Sequence, residues 1–446
     1  MATPHSVSFH TLGCKLNFAE TSSIRRQFET HGFQVIPFED GADIAVINTC
    51  SVTDFADRKC RKAVRSALRS NPSARIVVVG CYAQLKPDEI AGIDGVDLVL
   101  GASQKFQVLD YIDGLEKTPT KGLIDHTSVD HVASFQPAFS FGDRTRSFLK
   151  VQDGCDYNCS FCTIPLARGK SRSTSIPEIV RIAHEIVKKG RKEIVLTGVN
   201  IGDFGHSIEP QARQIHGDFL KLLEHLDREV DIPRIRISSL EPDLCHDEII
   251  EFVAQSDKFM PHFHMPLQSG NNRILKMMQR RYRRELYFER VQKIKTTMPD
   301  ACIGADIIAG FPGESDEDFQ ITIDFLMELD ISYIHAFTYS ERESTKAASM
   351  ATAVPMRVRR LRTAQFRELS HRKKLDFYSQ HLNSTRTVLL ENDAKPGWLT
   401  GYTDNYIRVQ LAAEDSKINQ LQDVFLSEVN DKGIVRGVME NRSVLH

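Results

Sequence analysis

SFLKVQDGCDYNCSFCTIPLARG, residues 147–169, sets Cys155, Cys159 and Cys162 in a C-x3-C-x2-C spacing directly after an apolar β-type run. Three thiolates on so short a loop can hold three irons of a 4Fe-4S cluster. Such a cluster ordinarily takes four cysteines, so one iron is left for a ligand from outside the chain. Structural zinc is the plain alternative. Tetrahedral zinc wants four ligands, usually from paired C-x2-4-C motifs, and the chain holds no second such pair.

The run before the loop opens a series of strand candidates, SFLKVQ, EIVLTGV, RIRISSL, HFHMPLQ, IGADIIAGF and YIHAFTYS, separated by helical segments between residues 148 and 340. This alternation indicates parallel βα units. Six units suit an open or partial (β/α) barrel better than the eight-stranded form, which takes about 250 residues. Two helix starts carry capping signatures, Ser175 with Glu178 and Ser315 with Asp318.

Upstream, the first hundred residues also alternate short apolar runs with helices, so the N-terminal part reads as an α/β domain with a parallel sheet. VSFHTLG ends at Cys14, ADIAVINT at Cys50 and RIVVVG at Cys81. Parallel strands deliver their C-terminal ends to one edge of the sheet, where ligand sites of open α/β folds form. Cys14, Cys50 and Cys81 therefore become candidate ligands of a second metal centre. Cys60, Cys245 and Cys302 have no companion at ligand spacing and read as ordinary core or surface residues.

Downstream, a basic helix over roughly residues 356–381 precedes a change of period. Ile407, Val409 and Leu411 alternate with polar residues, and RTVLLE and DVFLSEV are similar short runs. They predict a small antiparallel β-barrel of the kind that often binds nucleic acid. The expected boundaries are 4–116 for the cluster domain, 117–140 for a linker with little structure, 141–375 for the central barrel and 380–446 for the terminal barrel.

Length and composition bound the function. The 446 residues exceed a single core, and 41% hydrophobic with 26% charged residues is globular usage. No run approaches the roughly 20 apolar residues of a membrane span, and MATPHSVSFHTLGC is not a secretory leader. A cytoplasmic protein without membrane contact is expected. Its nine cysteines would then stay reduced and serve metals before disulfides. The net charge of −2 neither attracts nor excludes nucleic acid, so only local clusters count. Residues 276–295 and 357–374 each carry eight Lys or Arg. Arg281, Arg284, Arg359 and Arg362 are candidate phosphate contacts, although charge runs are most often solvated helix faces. Tyr402, Tyr406 and Arg408 of the terminal barrel are candidate contacts to exposed bases. Trp398, the only tryptophan, suits that role or a core plug.

The C-x3-C-x2-C loop before a barrel resembles the radical S-adenosylmethionine enzymes. With TLGCKLN, INTCSVT and GCYAQ around the first three cysteines, and LTGVN, PLQSG and GFPGE in the barrel, the chain is similar over its whole length to their methylthiotransferase family. The resemblance implies two 4Fe-4S clusters, a radical-generating one on Cys155, Cys159 and Cys162 and an auxiliary one on Cys14, Cys50 and Cys81, with S-adenosylmethionine as cofactor. It also implies a C-terminal TRAM barrel that binds RNA. One S-adenosylmethionine would methylate the sulfur to be transferred, and a second would yield the radical that takes hydrogen from adenine C2.

GCKLN, rather than a Gly-Cys-Gln-Met-Asn start, and GYTDNY are most similar to the branch acting on threonylcarbamoyladenosine at position 37 of tRNA. Relatives act on isopentenyladenosine in tRNA or on an aspartate of a ribosomal protein, and a zinc-containing RNA-binding protein is the non-catalytic alternative. tRNA, an electron donor and a sulfur source are the expected partners, and a monomer is the expected state. Thr197, Gln268, Ser269 and Gly310 lie in the motifs that by resemblance face S-adenosylmethionine, with Glu241 as a further candidate. Each also suits ordinary strand-end turn chemistry.

Overall fold

A computed structural model describes residues 6–50, 54–115, 117, 121–132, 134–142, 145–205, 218–393, 395–430 and 433–439. The outermost residues of the expected first and last domains, 4–5 and 440–446, lie outside them. IAVINT and RIVVVG are apolar without alternation, as strands covered on both faces must be. They form the centre of a six-stranded parallel sheet with spatial order Gln34–Val35, Ser6–Thr11, Ile44–Thr49, Arg75–Gly80, Val96–Leu100 and Leu123–Asp125. Helix Asp54–Ser70 covers one face through Cys60, Val64 and Ala67. Ile24 and Phe28 of helix Lys15–Thr30 cover the other.

The sixth strand corrects the expectation of an unstructured linker. Leu123–Asp125 extends the sheet, and Ala138–Phe139 pairs antiparallel with the first barrel strand. Segments of three and two residues are too short to show a period, so their pairing is visible only in the fold.

The six barrel strands all form where expected, in two pieces. Ser147–Lys150, Glu193–Thr197 and Arg234–Ile237 lie in one sheet; His262–Gln268, Cys302–Ala309 and Tyr333–Thr338 make the other. Single bridges between Ile235 and Phe259 and between Ser239 and His264 join them. Alternate residues such as Ile194, Leu196, Ile303, Ala305 and Ile307 enter the helix-covered core. Their polar neighbours Lys150, Glu193, Arg236, His264 and Asp306 turn to the opposite, inner face.

The open barrel borrows its closure. Ala19 and Phe18 of the first helix pack on Phe148 and Val195 of the inner face. Arg234 and Arg236 reach the other way, donating to carbonyls of Thr387, Tyr402, Thr403 and Asp404 in the terminal barrel. That barrel is closed, with strands Thr385–Asn392, Trp398–Thr403, Arg408–Ala412, Leu421–Val429 and Val435–Met439. It is not wholly antiparallel, because Val409 and Gln410 pair parallel with Val435 and Arg436 to complete the ring. Helix Met356–Gln380 ties both parts together, with Phe366 and Leu369 in the central core and Phe377 and Tyr378 in the terminal one.

The capping box at Ser315 and Asp318 forms. The one at Ser175 does not, because Glu178 pairs with Arg181 one turn on and the Ser175 side chain caps nothing. Among the described residues no helix is long and apolar enough to cross a membrane.

Candidate active site

The C-x3-C-x2-C loop is held shut at its base. Gly154 has φ of +72°, and a Cβ there would stand 1.9 Å from the Lys170 carbonyl oxygen, so the turn that starts the loop excludes any side chain. Each sulfur then meets a nitrogen donor. The Tyr157 N–H points at Cys155 Sγ at 3.4 Å, the Ile164 N–H at Cys162 Sγ at 3.4 Å, and Arg280 at Cys159 Sγ at 3.2 Å. Donors on all three sulfurs are what thiolates bound to an iron-sulfur cluster require, so the residues fit that group. Burial pushes the free Cys162 thiol up to about 12 and raises Cys155 and Cys159 too, so ionisation here depends on a metal taking the proton's place.

Glu241 is paired with Arg280, which thereby links it to Cys159. Burial pushes the Glu241 carboxyl up to about 7, against the pull of Arg280. Arg281 lies 3.8 Å from the centre of the Tyr157 ring and donates to the Asp156 carbonyl, which braces the same loop from outside.

Cys14, Cys50 and Cys81 are brought together by sheet register. Thr11 pairs with Asn48 and Thr49 with Gly80, so Cys50 and Cys81 leave adjacent strands at the same level. Cys14 immediately precedes the first helix, and the strand order places it and Cys50 on either side of the point where the sheet's winding reverses, the usual ligand position of such folds. Gly13, at φ +107°, is what lets the chain pass so close. A Cβ there would lie 2.7 Å from Cys50 Cβ. Asn17 ties both turns, donating to the carbonyls of Leu12 and Thr49.

Segments adjoining the two triplets meet across the domain boundary. Helix Cys81–Leu85 packs on helix Ile164–Arg168, which directly follows the C-x3-C-x2-C loop. Arg168 bonds Glu20, Asn17 and Asp153. Lys105 and Lys150 also bond Glu20, while Lys150 and Arg172 bond Asp153. All six charged groups are buried. Four cations against two carboxylates leave two positive charges beside Cys81 and Cys14, and both thiols act electrostatically on Arg168. Burial alone would raise Glu20, but Arg168, Lys105 and Lys150 hold it well below the usual carboxylate range. Burial brings Lys105 down to about 8. A surplus of buried positive charge is tolerable where an anionic group completes it, so this junction fits a cluster on the three thiolates. Nothing local in the sequence marks these residues.

Beside Cys162 a cavity of about 250 Å³ is lined by Thr163, Ile164, Gln268, Asp306, Ile308 and Tyr339, among others. Gln268 holds a left-handed φ of +66° where the strand register breaks after Pro266, the kind of strain that collects at ligand sites. Gln268 lines this cavity; Thr197, Ser269 and Gly310 do not. Thr197 ends its strand opposite Lys150. The Ser269 hydroxyl is engaged by Thr322 and the Asn271 N–H, and the Gly310 N–H by the Glu314 carboxylate.

The basic clusters divide. Arg359 and Arg362 are corrected from RNA contacts to buried structural residues: Arg359 bonds Glu341 and the carbonyls of Val354 and Tyr339, and Arg362 bonds Glu314 and Asp316. Their positions continue the inward stripe of Phe366 and Leu369, a helical period that charge counting overlooks. Arg281, Arg283, Arg357, Arg360 and Arg408 are exposed. Arg284 is half-buried over Phe325. Tyr402 and Tyr406 stack on each other at 4.6 Å and on toward His262, facing the central barrel. Trp398 is half-buried beneath Lys395.

Residues 6–101 match the uncharacterized protein family UPF0004, and residues 149–326 the Radical SAM superfamily. The chain is 40% identical to the threonylcarbamoyladenosine tRNA methylthiotransferase MtaB of Bacillus subtilis (strain 168), covering 94% of this chain and 93% of that one. It is 32% identical to the MtaB of Thermotoga maritima over 96% of each. A tRNA-2-methylthio-N(6)-dimethylallyladenosine synthase of Alkaliphilus oremlandii is 30% identical, over 94% and 89%. Among solved structures, the radical S-adenosylmethionine methyltransferase TsrM from Kitasatospora setae aligns over 77% of each chain with a TM-score of 0.52 and 14% identity, a likeness of fold alone.

Proposed function

The chain belongs to the radical S-adenosylmethionine methylthiotransferase family, and from that premise we propose that it adds a methylthio group to C2 of N6-threonylcarbamoyladenosine at position 37 of tRNA. The observation that carries the reading is that the segments adjoining two incomplete thiol triplets pack on each other across one buried junction. A single cluster would need one of them. Chemistry at an aromatic C–H bond that neither acid nor base can break needs a radical source and a sulfur source side by side.

Cys155, Cys159 and Cys162 would hold one 4Fe-4S cluster and Cys14, Cys50 and Cys81 the other. When bound, these groups with S-adenosylmethionine supply the radical and the methylated sulfur. The protein's own part is positional. Tyr157, Ile164 and Arg280 orient the three sulfurs of the first triplet, and Glu241 anchors Arg280. The cavity at Gln268 and Ile308 suits the adenosyl part of S-adenosylmethionine. The first helix and the terminal barrel, read as a TRAM module, close the barrel's open side and limit water. Exposed Arg281, with half-buried Arg284 three residues on, is read as a phosphate contact, and Tyr402, Tyr406 and exposed Arg408 as contacts at the nucleotide. An external electron donor and sulfur source complete the reaction.

Mass spectrometry of tRNA nucleosides from cells with and without the gene tests this. Loss of the methylthio group from threonylcarbamoyladenosine alone is expected. Loss from isopentenyladenosine, or from a ribosomal protein with tRNA unchanged, would overturn the substrate. Zinc without acid-labile sulfide in anaerobically purified protein would overturn the chemistry.

A further inference from the structure

Lys15 follows Cys14 directly and opens the first helix. Its side chain is exposed to solvent yet stands among polar and charged groups of three parts of the molecule: Arg146 before the first barrel strand, Glu193 and Arg236 on the barrel's inner face, and the neutral phenol of Tyr406 in the terminal barrel. A side chain both wet and surrounded stands in a concave space. Arg236 bonds Glu193 at 3.2 Å and Arg146 bonds Glu391 at 3.0 Å. Among the described residues Lys15 has no such carboxylate. Its ammonium, two guanidinium groups and the stacked rings of Tyr406 and His262 thus make a cleft with unbalanced positive charge. Charges so arranged repel one another and are retained where a ligand supplies the missing anion.

The anion can be identified from the reaction. The reacting carbon must come close to the cluster on Cys14, Cys50 and Cys81. C2 and C6 of adenine both neighbour N1, so a substituent on N6 leaves the ring on the same edge as the carbon that reacts. A threonylcarbamoyl substituent ends in a carboxylate. We propose that Lys15 binds this carboxylate and is the residue by which the enzyme selects an anionic N6 substituent over a neutral one, an inference that rests on the substrate reading above. The carboxylate would fill the place beside Lys15 that no described side chain fills. The stacked Tyr406 and His262 would wall the apolar side of the threonyl group.

The test uses the full chain with its clusters reconstituted, and two tRNAs that differ at one group: threonylcarbamoyladenosine, and the same nucleoside with its carboxylate converted to the primary amide. Equilibrium binding and thiomethylation are measured at one fixed salt concentration for wild type, Lys15→Gln and Lys15→Arg. Wild type should favour the carboxylate roughly 10- to 100-fold, as one charge-assisted hydrogen bond provides. Lys15→Gln should bind both tRNAs alike, at the level wild type shows for the amide, and Lys15→Arg should restore most of the preference. Iron and sulfide contents equal to wild type confirm that Cys14 is undisturbed. A preference that survives in Lys15→Gln overturns the proposal. Equal weakening toward both tRNAs, the mark of a phosphate contact, overturns it too. Wild type that leaves threonylcarbamoyladenosine unmodified, while acting on another nucleoside, overturns the substrate reading and this inference with it.

Discussion

The two thiol triplets solve one problem in opposite ways. Cys155, Cys159 and Cys162 lie within eight residues, and two of the three sulfurs take their hydrogen bonds from the loop's own backbone and the start of the helix after it. Cys14, Cys50 and Cys81 come from three strand ends, and what faces them is a buried cluster of charges contributed by two domains. The first site is built by local chain geometry. The second exists only once the sheet is registered and the domains have docked. Damage to the junction should therefore reach the second site first.

Removing a ligand from each triplet tests this separation most strongly. Cys159→Ala should abolish cleavage of S-adenosylmethionine. Cys50→Ala should preserve cleavage and stop thiomethylation. Both are read by quantifying 5′-deoxyadenosine and methylthio nucleoside in the same reaction. Loss of both activities in both variants would mean a single shared metal site.

Glu20→Gln comes next. It leaves Arg168, Lys105 and Lys150 facing one another with only Asp153 nearby, and unpairing a buried charge costs about 3–5 kcal/mol. Denaturant unfolding should show that loss, and sulfide on the N-terminal triplet should fall before sulfide on the loop. The pH dependence follows from the same residue. A carboxyl held below its ordinary value of about 4.3 adds stability above that pH and loses it as pH falls toward the depressed value. The wild-type junction should weaken below about pH 4, and the variant should lack that part of the acid transition. Equal stability of the two proteins would mean that the charges contribute nothing to docking.

Arg280→Met strikes the opposite side. Cys159 loses its donor and Glu241 its partner, whereas the N-terminal triplet is untouched. Outer contacts of this kind typically change metal affinity or activity by about 10- to 100-fold, so cleavage of S-adenosylmethionine should drop by that order. The electron paramagnetic resonance signal of the loop's cluster should shift while that of the other stays fixed. A change in both signals would show the triplets to be coupled more tightly than their separate supports suggest.

The same contrast explains what the sequence made legible. The C-x3-C-x2-C loop could be read directly, because spacing within one loop is geometry. The other triplet was readable through one inference, that parallel strands end at a common edge, because IAVINT and RIVVVG announce themselves as buried strands. Glu20, Lys105, Lys150 and Arg168 were not readable. Glu20 and Arg168 are 148 residues apart, and a lone acidic residue on a helix gives no sign of the cations it will meet. Arg359 and Arg362 were misread for the converse reason. Charge counting ignores which helical face a residue occupies, and these two share theirs with Phe366 and Leu369.

Asn17 offers the smallest and most discriminating perturbation. Its amide nitrogen holds the Leu12 and Thr49 carbonyls at 2.8 and 3.0 Å, while its oxygen accepts from Arg168 at 2.7 Å. It thus joins the turn before Cys14 and the strand end before Cys50 to the charged junction. Asn17→Ala removes those bonds without removing a charge or a ligand. The loss should be about 1–2 kcal/mol of stability rather than a failure to fold. The three thiols would then be less firmly placed, so the N-terminal triplet should retain less iron and sulfide under mild chelation while the loop retains its full complement. If the loop's cluster is lost in parallel, then local geometry does not suffice for it, and the two sites are one structural unit.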